Sequence, residues 1–213
     1  MSSRLSSPVG TRQVLSPTGS ARQLAIPATE GDVSKFKVVI LGDESSGKTS
    51  VIRRAVEDKF TKDYEATLGV DLFTKTISIP GKKDIRLQVW DTSGQKRFKA
   101  SIPSYIRDCH VAIIAFQVTS REQFESIEKW VNEVSELREQ DEVWIYIVAT
   151  SCDKDFGERS FTREEIGKKL KRLERREAPK NNIVQYMETS AKAGYNIRNM
   201  FYSMTTKLID QTS

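Results

Sequence analysis

The sequence predicts an α/β fold in which a mostly parallel sheet is covered by helices on both faces. Three observations carry that prediction. Short β-branched runs bounded by turn or polar residues occur at residues 36–41, 85–90, 111–118 and 143–149, as buried strands require. Between them, residues 47–57, 121–138, 162–177 and 195–209 place apolar side chains at i, i+3 and i+4 over helical lengths. The exception is Leu72 to Ile79, whose alternating residues end in Pro80-Gly81-Lys82-Lys83-Asp84 just before the next strand. That is a hairpin signal, and it predicts one antiparallel strand at the sheet edge.

A chain of 213 residues that is 38% hydrophobic and 30% charged is expected to form one globular domain plus a short tail. Cys109 and Cys152 are too few for a disulfide framework and lack zinc-site spacing, so secretion is not expected. No run approaches about 20 apolar residues, which argues against a spanning helix. The net charge of +5 is uneven: residues 163–180 hold eight basic and four acidic side chains and so carry most of it. Lys168-Lys169-Leu170-Lys171-Arg172-Leu173-Glu174-Arg175-Arg176 reads as a basic helix, either a solvated face or a contact for acidic lipid head groups or an acidic partner. No aromatic residues interleave these charges, so nucleic acid is not an expected partner.

Residues 1–33 contain six Ser, three Pro, three Gly and three Arg, no aromatic residue and few aliphatic ones, and are read as a disordered tail before a domain at 34–211. Ser7-Pro8-Val9-Gly10 recurs as Ser16-Pro17-Thr18-Gly19, and each copy is followed by an Arg-Gln pair, Arg12-Gln13 and Arg22-Gln23. The Arg- and Ser-rich composition superficially fits a transit peptide, but Pro and Gly oppose the amphipathic helix such a signal needs.

The first strand of the domain runs into Gly42-Asp43-Glu44-Ser45-Ser46-Gly47-Lys48-Thr49, which satisfies G-x-x-x-x-G-K-[ST] between a strand and a helix. Glycines let the backbone curl so that successive N–H groups point inward, and the helix presents its positive end to the same place. Lys48 is positioned to reach β- and γ-phosphates, and Thr49 and Ser50 open the helix, with the Thr49 hydroxyl available to Mg²⁺. Glu44 is out of character. An acid beside a triphosphate is either turned to solvent or disturbs affinity and hydrolysis. Downstream, Trp90-Asp91-Thr92-Ser93-Gly94-Gln95 puts an acid at the carboxyl end of a parallel strand, where ligands of such sheets bind. Asp91 can hold a metal through water, Gly94 permits close approach to a γ-phosphate, and the Gln95 amide can orient a water for in-line attack.

Over about residues 34–210 the chain resembles the small GTPases of the Ras superfamily, and within them the Rab family. Tyr64-Glu65-Ala66-Thr67-Leu68-Gly69-Val70-Asp71 looks like the Rab form of switch I, and Glu188-Thr189-Ser190-Ala191-Lys192 like the last guanine-base loop. The resemblance implies a P-loop fold of the Ras-like G-domain type, with a mostly parallel sheet of about six strands and one antiparallel edge strand, and binding of GTP or GDP with Mg²⁺ at Thr49, Thr67 and Asp91. It implies nucleotide contacts from Ser45, Ser46, Gly47, Lys48, Thr49, Ser50, Phe60, Tyr64, Thr67, Gly94, Thr150, Asp153, Ser190, Ala191 and Lys192, and slow hydrolysis using Gln95, Lys48 and Thr67. Without an obvious arginine finger in cis, turnover is expected on the order of 10⁻⁴ to 10⁻² s⁻¹ until an activating protein supplies one. Effectors and exchange factors would act through the switch segments. Ile102-Pro103-Ser104-Tyr105-Ile106-Arg107-Asp108 and the Glu188–Asn196 segment are similar to the Rab subfamily of Golgi retrograde transport, which implies a cytoplasmic protein peripheral at Golgi or other endomembranes.

Several positions depart from that pattern. The family's Asn-Lys-x-Asp is here Thr150-Ser151-Cys152-Asp153. Asp153 keeps the acceptor for guanine N1 and N2, whereas Thr150 lacks an amide to bond the base and tie the loop to the P-loop, and Ser151 lacks a stem to cover the base. Weaker binding and faster exchange are expected. Leu72 stands at one of three positions, with Trp90 and Tyr105, where Rab proteins present aromatic residues to effectors. No cysteine follows Cys152 and residue 2 is serine, so no lipid anchor is expected. His110 and Cys109 are read as structural. A cycling switch and a pseudo-GTPase that binds partners without cycling both stay open; a P-loop ATPase or kinase is disfavoured by Asp153 and the 188–192 loop.

Overall fold

The computed structural model describes residues 11–14, 33–63, 65–82, 84–138, 143–177 and 181–212. Each β-branched run becomes a strand close to its expected bounds: β2 (Ser34–Leu41), β4 (Ile85–Thr92), β5 (Val111–Gln117) and β6 (Val143–Thr150). The helices α1 (Lys48–Glu57), α3 (Arg121–Leu137), α4 (Arg163–Glu177) and α5 (Ile197–Thr212) lie where the helical periodicity places them. Strand β3 (Val70–Ile77) runs antiparallel to β4, as the hairpin signal requires, and the remaining pairings β2 with β4 and β5, and β5 with β6, are parallel.

Three elements were not drawn from the sequence. A short helix α2 (Ile102–Ile106) follows a 3₁₀ turn at Lys96–Ser101, and β7 (Asn181–Glu188) pairs parallel with β6. The third is β1 (Thr11–Val14), which lies within the segment expected to be disordered and pairs antiparallel with β3. The rest of that tail, residues 1–10 and 15–32, lies outside the described residues. The order of the seven strands is β1-β3-β4-β2-β5-β6-β7. The antiparallel strand is therefore the edge of the six-stranded domain sheet but not of the whole sheet, because β1 covers it.

Central strands are apolar on both sides, and the two sides build two cores. Val38 and Ile40 point to the layer of α1 and α5, where Val51, Ile52, Met200, Phe201 and Leu208 are buried. Val39 and Leu41 point to α2, α3 and α4, meeting Ile102, Ile106, Phe124, Ile127, Val131 and Leu173. Each such aliphatic side chain contributes about 1.5–3 kcal/mol when fully buried. Local signals fix the helix starts: the Ser120 hydroxyl accepts from the Gln123 backbone N–H, and Thr162 and Glu165 cap α4 reciprocally, each side chain accepting from the other's backbone N–H. His110 has a structural place, its Nδ1 accepting from the Lys37 N–H and its ring meeting Phe36 edge-on, and Cys109 is fully buried.

Candidate functional site

Parallel strands aim their carboxyl ends the same way, so the loops after β2, β4, β6 and β7 converge. They enclose a cavity of about 620 Å³ lined by the 44–51 loop, residues 60–63, Thr67, Ser93, Gly94, Gln95, Gln117, Thr150, Ser151, Asp153, Lys154, Ala191 and Lys192, among others. Of the residues named from sequence, Ser45, Ser46, Gly47, Lys48, Thr49, Ser50, Phe60, Thr67, Gly94, Gln95, Thr150, Asp153, Ala191 and Lys192 face this space. Asp91 and Ser190 stand behind the wall and act on residues that line it. Tyr64 lies outside the described residues.

At one end, Gly47 takes a left-handed conformation (φ 83°) and turns the loop into α1. The Lys48 ammonium, buried but for 6% of the residue's surface, donates to the carbonyls of Gly42 and Asp43 at 2.9 and 2.7 Å. Burial lowers its pKa to about 8, against the nearby Asp91, Asp43 and Glu44 carboxylates. Asp43 is itself held, accepting from Ser126 Oγ and Trp130 Nε1 of α3, so the loop is braced from outside. Beside Lys48, the Thr49 and Thr67 hydroxyls meet at 2.8 Å. Both carboxylate oxygens of Asp91 are buried without a hydrogen-bond partner. Burial raises the Asp91 pKa to about 7; Thr49 and Lys48 oppose the rise, while Asp71, its cross-strand neighbour, adds to it. An orphaned buried carboxylate next to two converging hydroxyls is an oxygen donor set that suits a small hard dication such as Mg²⁺.

The other end is built around Asp153. Ser190 Oγ donates to Asp153 Oδ1 at 2.6 Å and accepts from the Ala193 N–H, and Lys192 Nζ lies 3.7 Å from Oδ2. Burial opposes ionisation of Asp153, but Ser190, backbone hydrogen bonding and the Lys192 and Lys154 charges outweigh it and keep the pKa below its ordinary value. A charged acceptor pair at the rim of a cavity that ends in a phosphate loop discriminates a base with adjacent N–H donors. Arg54 of α1 donates to the Ala191 carbonyl at 2.7 Å and fixes this loop to the helix that starts at Lys48.

Residues 37–210 match the family model described as Ras family, a span that includes both ends of the cavity. The chain belongs to the Ras family. Proteins of this family are GTP-binding switches that hydrolyse GTP and take Mg²⁺ with the nucleotide.

Within that Ras-family frame the structure departs from the sequence reading at Thr150. The loop does not lose its tie to the P-loop: the Thr150 hydroxyl lies 2.8 Å from the Ser46 carbonyl and 3.2 Å from the Phe116 carbonyl, and its one proton serves the shorter contact. A side chain at Gly47 would come within 3.1 Å of that hydroxyl, so the two loops touch.

Two further contacts were not foreseen. Gln95 Nε2 donates to Glu44 Oε1 at 3.2 Å, and Gln95 Oε1 accepts from Arg97 Nε at 2.9 Å, so the amide is held at both ends. Gln123 adds a brace, its Nε2 donating to the Glu44 carbonyl and its Oε1 accepting from the Gln117 N–H. Close approach also explains Gly94, where a Cβ would lie 2.4 Å from Glu44 N and 2.6 Å from Asp43 O. Gly94→Ala must push the switch loop off the P-loop, and urea unfolding is expected to show a loss of about 1–3 kcal/mol. An unchanged midpoint would mean that the approach is not maintained in solution.

The basic helix offers less free charge than its sequence suggests. Lys169 is 5% exposed and pairs with Glu125, Arg172 pairs with Glu128, and Lys168 with Glu164; Lys171 and Arg175 lie exposed. Glu125 and Glu128 of α3 tie Lys169 and Arg172 to the neighbouring helix, while Glu164 lies on α4 itself. Among the described residues no helix is long and apolar enough to cross a membrane.

Proposed function

We propose that the protein is a Rab-like guanine-nucleotide switch of intracellular membrane traffic, cytoplasmic and peripheral at Golgi or other endomembranes, with hydrolysis restrained by its own P-loop. The observation that carries the switch is the two-ended cavity, with a phosphate-reading Lys48 at one end and a base-reading Asp153 at the other. Thr49, Thr67 and Asp91 would hold Mg²⁺, which when bound offsets charge on the phosphate oxygens. Lys48 exchanges its backbone carbonyl partners for phosphate, and Gly94 brings the switch loop to the same place. Loss of the γ-phosphate would release the segments around Thr67 and Gly94. The Rab assignment is supported by the Tyr64–Asp71 wording and by the interswitch arrangement, where Leu72 is paired with Trp90 and the Trp90 ring lies 6.0 Å from that of Tyr105. Effectors, exchange factors and activating proteins would engage these switch segments.

The Glu44 contact favours a second reading, a switch that seldom turns itself off. While its amide is held by Glu44 and Arg97, Gln95 is not free to orient water. Releasing one hydrogen bond worth about 1 kcal/mol changes a rate by about five- to tenfold. In single-turnover GTP hydrolysis the native protein is therefore expected to be only slightly faster than Gln95→Leu, and Glu44→Ser about five- to tenfold faster than both. A native rate far above that of Gln95→Leu would discard the restraint, and a Glu44→Ser rate no higher than the native one would discard the role of Glu44. Identification of the nucleotide released on denaturing the purified protein tests the switch itself; adenine nucleotide would refute it.

A further inference from the structure

We propose that Lys154 is a specificity residue of the base end of the cavity, its aliphatic stem giving the guanine ring the cover that Ser151 is too short to give. The proposal rests on the guanine-nucleotide reading of that cavity. Ser151 and Lys154 both line it. Ser151 takes a left-handed conformation (φ 60°) that turns the chain back, and the Lys154 N–H donates to the Ser151 carbonyl at 3.1 Å. The ends of such a turn lie within about 7 Å of each other, so a long side chain at 154 can reach the space that one at 151 would fill. The turn is also held in place. The Cys152 N–H donates to the Thr189 carbonyl at 3.1 Å, and Asp153 accepts from Ser190 Oγ at 2.6 Å. Lys154 is thereby fixed next to the carboxylate assigned to the base edge.

Where the two lysines of this rim send their charges separates their roles. Lys192 Nζ lies 3.7 Å from Asp153 Oδ2, so that side chain is drawn to the carboxylate. Lys154 Nζ instead lies 3.8 Å from Oε2 of Glu158, at the end of the 3₁₀ turn Phe156–Glu158. Both members of that pair are about half exposed, and such a pair adds little stability. Its effect is positional: the ammonium has a counter-ion on the solvent side, and the four-carbon stem is left at the rim. Long cationic side chains lay their stems on apolar surface while the charged head stays in water, and the face of a purine is such a surface. The cover missing at position 151 is thus replaced from three residues on, which offsets the weaker binding expected from Ser151 alone.

The test uses the full chain freed of nucleotide, with GDP and Mg²⁺ in isothermal titration and the unfolding midpoint without nucleotide as the folding control. Lys154→Ala is expected to weaken GDP binding by about tenfold, whereas Lys154→Met, which keeps a stem without the charge, should stay within about threefold of the native chain. Ser151→Lys should recover about tenfold in the Lys154→Ala background and gain less than about twofold in the native one, because two stems compete for one ring face. A Lys154→Ala affinity within about twofold of the native value would overturn the proposal. So would an equal loss in Lys154→Met, since charge and not cover would then be at work. Equal gains from Ser151→Lys in the two backgrounds, none in both included, would overturn it as well. ADP bound by the native chain as tightly as GDP would instead discard the guanine reading, and the proposal with it.

Discussion

Lys48→Met is expected to lower affinity for GTP by about 100-fold or more, because a bound triphosphate loses at least one, and by the motif two, charge-assisted hydrogen bonds of about 1.5–3 kcal/mol each. Titration with a fluorescent GTP analogue measures it, with circular dichroism to show that the fold is kept. Affinity within about threefold of the native value would mean that the triphosphate does not lie in this loop. The same lysine predicts a pH dependence. Its pKa is about 8 in the nucleotide-free protein and must rise when phosphates surround it. Binding therefore takes up a proton above pH 8, and affinity falls as pH increases: between pH 7 and pH 9 the loss should approach about tenfold, and it should vanish in Lys48→Met.

Asp153→Asn is the second large effect. Guanine presents two adjacent donors, N1–H and the 2-amino group, and an ionised carboxylate accepts both. An amide keeps one acceptor and turns an N–H toward a donor. Two bonds of about 1.5–3 kcal/mol are at stake, so GTP affinity should drop by about 100-fold or more. Xanthine triphosphate carries a carbonyl at the 2-position, which the new amide can bond, and its affinity should rise. The Ser190 hydroxyl and Lys192 make the position more than a free carboxylate, since they anchor it and hold it ionised. Competition among GTP, xanthine triphosphate and ATP reads the result, and an unchanged order would show that the base is recognised elsewhere.

What could be read from the chain and what could not divides along physical lines. The phosphate loop was legible because its chemistry is local: a glycine turn, a lysine and a hydroxyl in eight consecutive residues between a strand and a helix. So were β2, β5 and β6, whose burial on both faces demands unbroken apolar runs. Strand β7 was hidden because Asn181-Asn182-Ile183-Val184-Gln185 has no such run, and its pairing with β6 decides its state. Strand β1 was hidden for the same reason in stronger form, since a polar tetrapeptide takes strand geometry only from the edge it meets. The Glu44–Gln95–Arg97 chain joins residues about fifty positions apart, and only the fold brings them together. Thr150 was misread because an amide was sought where a hydroxyl does part of the same work over a shorter reach.

That hydroxyl has a mechanical consequence. Because Thr150 bonds the Ser46 carbonyl, the loop that carries Asp153 and the loop that carries Lys48 share a joint, and Arg54 clamps the Ala191 loop to the helix that starts at Lys48. The two ends of the cavity are thus hinged rather than independent. A partner that loosened only the Asp153 loop would therefore be expected to disturb the Lys48 loop as well, without touching it.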